Sequence, residues 1–320
     1  MSDVVTPANP LIAACLRITD LRPEVGPLTG EVTHDRLAVG LSAADAAALE
    51  HALRIGEAWS GRVAVVTIAA RSSEEVLRDI SALGVDVLRV PDADAAEDHA
   101  RATELAGDER GLARAAAAAL ASLGRPAVVL CGDRSADRGT GAFPAFLAHE
   151  LGAAQALGLV RLTPNDNGSA LLAERRLDGG WREQLSVPLP AVCSVEGAGV
   201  RLRRATLAGA LAATDRQVPV DDAAAGVLQV SRGATSTLRL GPTRPFEPRT
   251  RVVPAPAGGT AHQRVLALTG ALDARDPPTL VGPMGAAEAA DVLLEYLVRH
   301  GYLEDPAALG AAPPEPEASP

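Results

Sequence analysis

Residues 11–195 predict an α/β fold, a mostly parallel sheet with helices on both faces, and three observations carry that reading. Short apolar runs rich in valine and isoleucine alternate with segments whose apolar residues recur every three to four positions. The run 127–130 ends in a glycine-bearing loop that feeds a helix, the connection that parallel strands require. After Gly152 the pattern changes to alternating runs joined by turn chemistry, residues 165–168 and Asp178-Gly179-Gly180, which reads as an antiparallel addition.

Taken in order, LIAACLRI (11–18) is the first strand, and 24–39 forms an irregular hairpin turned by Thr29-Gly30. Ser42 opens a helix with capping-box-like spacing to Asp45, and Leu49, Leu53 and Trp59 lie along one side. RVAVVTIA (62–69) is a buried strand. Ser72 and Glu75 cap a helix whose Val76, Leu77, Ile80 and Leu83 face inward and which Gly84 closes; 85–90 is another strand. A charged helical stretch follows, then an alanine-rich helix from about 109 to 123 and the strand 127–130. The next helix opens near Thr140, with Thr140 as its N-cap and Pro144 in its first turn.

Runs 158–163, 169–177 and 181–187 are the antiparallel strands, and a last strand ends near Val195. A basic loop then runs into a short helix (201–213). The proline-spotted stretch 215–259 lacks periodicity and reads as an extended arm that lies on another surface. Helices are expected over 260–272 and over 286–300, the second with Val292, Leu293 and Leu297 on one face. The Ala/Pro/Glu tail 304–320 reads as disordered.

Ligands of parallel α/β sheets lie beyond the carboxyl ends of the strands. The loop after 127–130 carries Gly132, Gly139 and Gly141, which allow positive φ or close backbone approach ahead of a helix N-terminus, a ready anion site. The chain has no lysine, so a P-loop is excluded, and the loop lacks the G-x-G-x-x-G order. Spacing alone leaves a nucleotide loop and an ordinary strand–helix connection both open. Convergence with the loops after 18, 39–41 and 68 favours the nucleotide.

A net charge of −10 and 2% aromatic residues argue against nucleic-acid binding. No apolar run is long enough to span a bilayer and no signal-peptide pattern is present, so membrane insertion is not expected and a cytoplasmic location is. The three cysteines (Cys15, Cys131, Cys193) are spaced as buried thiols, and the six histidines never pair at metal-ligand spacing. No side-chain constellation for catalysis stands out.

The order of these pieces resembles the beta subunit of electron transfer flavoproteins. LIAACLRITD (11–20), with its basic Arg17, is similar to the family's opening strand. SAADAAALEHALRI (42–55) looks like its Asn-Pro-x-x-Glu-x-A-x-E-E-A-x-R-L helix start. The most specific match runs from VVLCGDRSADRGTGAFPAFLAHELG (128–152) into ERRLDGGWREQLSVPLPAVCSV (174–195). LTGEV (28–32) and RVLALTGAL (264–272) suggest the type that accompanies mycofactocin redox systems.

The resemblance implies a Rossmann-like fold of the adenine nucleotide alpha hydrolase-like kind. Its domains would be 1–196 for the nucleotide, 197–259 for a recognition loop and arm, 260–303 for C-terminal helices, and 304–320 for the tail. It also implies an electron carrier rather than an enzyme. AMP would be bound in this subunit, and FAD shared with, and held mainly by, an alpha subunit in a heterodimer. Electrons would come from flavin or mycofactocin-linked dehydrogenases and pass to a quinone oxidoreductase of the respiratory chain. Carried over residue by residue, the nucleotide would be met by Ala14, Ser42, Ala43, Ala44, Asp45 and Ile68. Gly132, Asp137, Arg138, Gly139, Thr140 and Gly141 would surround its phosphate, and Leu21 would lie near the flavin.

Departures from the pattern matter. Ser42-Ala43 stands where the family has Asn-Pro, and Gly139 where glutamine is usual. The docking loop corresponds to Gly199, Val200, Arg201, Leu202, Arg203 and Arg204, with Gly199 at the usual leucine anchor, so the partners differ from acyl-CoA dehydrogenases. Arg201, Arg203 and Arg204 read either as a solvated face or as cations that steer an acidic partner. The stretch 90–100 lacks the Gly-Ala-Asp-Thr-like segment of members that hold a second FAD, which favours AMP. The alternative is a stand-alone adenine-nucleotide-binding or sensing protein with no flavin partner.

Overall fold

The structure is a computed structural model that describes residues 9–33, 35–92, 109–165, 168–233, 259–269, 282–300 and 302–303. The chain divides into two compact units, Met1–Glu247 and Pro248–Pro320.

In the first unit, β1 (Leu11–Cys15), β2 (Ile18–Asp20), β3 (Glu24–Val25), β4 (Val32–Thr33) and β5 (Val39–Leu41) precede α1 (Ala43–Trp59). Next come β6 (Arg62–Ala69), α2 (Glu74–Ser81), β7 (Asp86–Pro91), α3 (Glu109–Leu123), β8 (Val128–Gly132) and α4 (Phe143–Leu151). β9 (Ala154–Pro164), β10 (Ala170–Arg176), β11 (Arg182–Pro188) and β12 (Ala191–Val195) complete the sheet, followed by α5 (Leu207–Ala213) and α6 (Asp222–Gly233).

The eight strands are ordered β11-β10-β9-β12-β8-β1-β6-β7. From β9 to β7 they run parallel, and β10 and β11 add on antiparallel. β9, expected only in the antiparallel group, is thus also a member of the parallel sheet. Alternation along the central strands builds a core on each face. Ile12, Val65 and Leu130 pack with Leu49 and Ile55 of α1 and Leu77 of α2. Ala13, Val66 and Val129 pack on the other face with Ala116 and Leu120 of α3 and Leu147 of α4. The buried alanines Ala113, Ala116 and Ala119 let α3 press close to the sheet, because a methyl group is all that separates backbone from strand.

Three local expectations shift, whereas the Thr29-Gly30 turn is found where it was expected. The first strand breaks: after Cys15 the chain leaves the sheet, and β2 pairs with β5 instead. The hairpin of β3 and β4 turns at Gly30, which takes φ +71°. α2 starts after Ser73, not Ser72, following a 3-10 turn. α4 starts at Phe143, three residues past Thr140; Ala142 is its N-cap, and the Ala142 N–H donates to Glu109 Oε2 at 2.9 Å.

The expected arm begins differently. Residues 222–233 form α6, whose Ala224 and Leu228 are buried against this unit's own core, Leu228 with Leu112 and Ala115 of α3. Just before it, Val220 bridges Arg89, which covers the edge of β7. The sequence hid this helix because its buried face is small and mixed, with Ala224, Leu228 and Ser231. The charged stretch near 93–108, the segment 234–258 and the tail 304–320 lie outside the described residues.

In the second unit, α7 (Ala261–Leu268) is closed by a reciprocal Thr260–Gln263 capping box. α8 (Ala286–Arg299) carries Val292, Leu293 and Tyr296 on partly exposed positions.

Candidate functional site

At the carboxyl ends of β1, β6 and β8 the sheet opens into a cleft. One wall is apolar: Val66 and Ile68 of β6, Leu112 and Ala116 of α3, and Phe143 of α4. The polar lining includes Arg17, Asp45, Glu109, Arg134, Arg138 and Thr140. The cleft suits a ligand with a flat apolar body and an anionic end.

Local chemistry holds the loop 132–141 over this cleft. The Ser135 N–H donates to the Thr140 carbonyl at 2.8 Å, and the Gly139 N–H donates to the Ser135 carbonyl at 2.9 Å. Gly139 takes φ +66°, the left-handed conformation that glycine adopts without strain. A side chain at Gly141 would place its Cβ 2.7 Å from the Asp133 carbonyl, so this position also needs glycine. Arg17 fastens the loop from below, its Nε and Nη2 reaching Asp137 Oδ2 at 2.8 and 2.5 Å. The Ser135 hydroxyl donates to the same carboxylate. Burial works to raise the Asp137 pKa, but the Arg17 guanidinium and the Ser135 hydroxyl outweigh it and hold it below the usual carboxylate range.

Asp45 is the third position of α1. Its main-chain N–H donates to Ser42 Oγ at 3.1 Å, and the Ser42 hydroxyl donates back to Asp45 Oδ2 at 2.6 Å. The Arg17 N–H reaches Oδ1 at 3.3 Å. Burial nevertheless pushes the carboxyl up to about 6. Gly132 lies beside it: a Cβ there would sit 3.2 Å from Asp45 Oδ1 and 3.1 Å from the Ala44 methyl.

Of the residues carried over from the resemblance, Asp45, Ile68, Gly132, Arg138, Thr140 and Gly141 line the cleft. Ser42, Ala43 and Ala44 surround Asp45 at the helix start, and the backbone there approaches Gly197 so closely that a Cβ would lie 2.7 Å from Ala43. Ala14 is fully buried in the core on the α1 face, while Cys15, Leu16 and Arg17 after it reach the cleft. Asp137 is turned to Arg17. Leu21 is 45% exposed and is not part of the lining.

The sequence did not point to Arg134, Leu112, Ala116 or Glu109. The last three arrive on α3 through a long crossover, which no local motif reveals. Cys15 and Cys131 are in-register neighbours on β1 and β8, a pairing their sequence separation concealed. Among the described residues no group of His, Cys, Asp or Glu is placed to hold a metal ion.

The docking stretch forms a strap along α1. Val200 and Leu202 pack onto the core, and a Cβ at Gly199 would lie 2.7 Å from the Val160 carbonyl. Arg203 is a clamp: its Nε and Nη2 each meet Glu50 at 3.0 Å, its own N–H meets Glu50 at 3.1 Å, and it also pairs with Glu57. Burial would raise the pKa of Glu50, which is 3% exposed, but Arg203 and then Arg54 lower it. Arg203 is therefore tied to α1 while remaining partly exposed, whereas Arg201 and Arg204 are exposed.

Among the described residues no helix is long and apolar enough to cross a membrane. Compared with known proteins, residues 30–226 match the model of the electron transfer flavoprotein domain, well over half of the chain. Protein FixA of Rhizobium meliloti is 29% identical over 280 residues, covering 84% of this chain and 93% of its own length. Protein FixA of Azorhizobium caulinodans is 29% identical over 233 residues, 71% of this chain and 80% of its own. With the parallel sheet and its strand-end loops already in place, this match means that the chain belongs to the electron transfer flavoprotein domain family as a beta-type subunit, with an electron-transfer role in a flavoprotein complex.

Proposed function

We propose that this chain holds AMP in the strand-end cleft and pairs with an alpha subunit that carries most of the contacts to a redox FAD. The observation that supports it most is the mixed lining. Val66, Ile68, Leu112, Ala116 and Phe143 offer apolar surface for a base, and Arg134, Arg138 and Thr140 in the same cleft offer partners for a phosphate. Bound FAD would supply the electron chemistry, and the residues of this chain bind, orient and shield. Leu21 is the exposed side chain offered towards the flavin. Arg201 and Arg204 steer an acidic dehydrogenase of the flavin or mycofactocin-linked type, and a quinone oxidoreductase takes the electrons onward. The setting is the cytoplasm.

A second reading, a stand-alone adenine-nucleotide protein, gains from α6, because residues 222–233 bury their apolar face on their own unit and need no sister chain. Co-expression with a candidate alpha subunit separates the two. A yellow complex eluting as one species is expected; colourless chains eluting separately would overturn the heterodimer.

A further inference from the structure

Two helices begin at the cleft, and one carboxylate serves both. Glu109 is the first residue of α3, where an acid complements the helix dipole. Its Oε2 also accepts from the Ala142 N–H at 2.9 Å, at the start of α4. That helix has alanine at its N-cap and no capping side chain of its own. A carboxylate from another element thus sits where an anionic ligand would otherwise find an amide at a helix N-terminus. Glu109 lines the cleft and is half-buried rather than turned to solvent.

The charges around it set what the cleft can take. The lining holds Arg17, Arg134 and Arg138 against Asp45 and Glu109. Arg17 is committed to Asp137, and Asp45 is buried at the start of α1 on the Ser42 hydroxyl. Arg134 and Arg138 are then the cations that the lining presents to a phosphate. Ala142 follows Arg138 by four residues, so the loop leads from a cation to the amide that Glu109 covers. A phosphate held by the two arginines has balancing charge. A second phosphate extended towards α4 meets the Glu109 carboxylate in place of a helix N-terminus.

We propose that Glu109 is a specificity-determining residue, a carboxylate that restricts the cleft to a nucleoside monophosphate and rejects a diphosphate. The inference rests on the nucleotide reading above and deepens it. Rejection by a fixed like charge is a common source of specificity, because an extra phosphate would otherwise add favourable contacts. Capping by itself needs no charge, since a neutral oxygen in the same place would satisfy the Ala142 N–H. Glu109→Gln therefore separates the two roles: it keeps an acceptor for Ala142 and removes the charge.

The test is calorimetric binding of AMP and of ADP, without magnesium at pH 8, to nucleotide-free protein, wild type and Glu109→Gln. Urea denaturation verifies that the variant is folded. Wild type is expected to favour AMP over ADP at least about tenfold. Glu109→Gln is expected to narrow that ratio to about twofold or less, chiefly by gaining affinity for ADP. Equal affinities of wild type for the two nucleotides, or the same ratio in both proteins, overturns the role of Glu109 while leaving the cleft as an AMP site. No binding of AMP to wild type removes the nucleotide reading itself, and this inference with it.

Discussion

The loop 132–141 and the strap 196–206 are both rich in arginine, both depend on glycine, and both were read from sequence as contact surfaces. They use their arginines in opposite ways. In the loop, Asp137 pairs with Arg17, and Arg134 and Arg138 line the cleft. In the strap, Arg203 is drawn inward to the buried Glu50, which leaves Arg201 and Arg204 outside. A buried carboxylate decides which cation becomes structural, because an unpaired buried charge is far more costly than an exposed one. Charge counting along the sequence cannot tell the two apart.

That contrast can be broken most forcefully at the clamp. Arg203→Ala leaves Glu50 with Arg54 and the main-chain N–H of residue 203, and we expect a loss of about 2 kcal/mol in urea denaturation, discounted from the range for a fully buried pair because Arg203 is partly exposed. The loss should be largest at neutral pH and fade in acid, because a carboxylate with a depressed pKa contributes stability above its unfolded value and loses it as pH falls. Next in size is Arg17→Ala, which frees Asp137 and should cost about 1–2 kcal/mol while speeding hydrogen exchange across 133–141.

Asp45→Asn should move stability the other way. The folded carboxyl titrates near 6 against 3.8 when unfolded, so the folded state binds the proton more tightly and stability falls as pH rises between those values. The substitution should therefore stabilise by about 1 kcal/mol at pH 8, less than the full shift allows because hydrogen bonds are lost, with the advantage gone below about pH 4. The smallest effects belong to Arg201→Ala and Arg204→Ala, each expected within about 0.5 kcal/mol of wild type. A large destabilisation from either would contradict their assignment as free surface cations.

Much of the fold was legible because period and punctuation agreed: 62–69 and 109–123 are found at the bounds their patterns gave, and Ser42 caps α1 with its hydroxyl. The misplaced pieces were those where a distant group took over. Thr140 is a sound N-cap by type, but its carbonyl closes the loop on Ser135 and Glu109 caps the helix from another element. α6 escaped because its buried face holds a serine, Ser231, beside Ala224 and Leu228 while Val230 is exposed, which gives little hydrophobic contrast. For the cleft, the resemblance supplied the β8 loop and the α1 start, whereas the apolar wall on α3 depends on a crossover that only the folded chain displays.

The account turns on an adenine nucleotide at the ends of β1, β6 and β8. Denaturing the pure protein and weighing the small molecules released tests this most directly. AMP at close to one per chain is the expected result. Release of FAD in its place, or of no nucleotide from protein that binds none when AMP is added back, would contradict it.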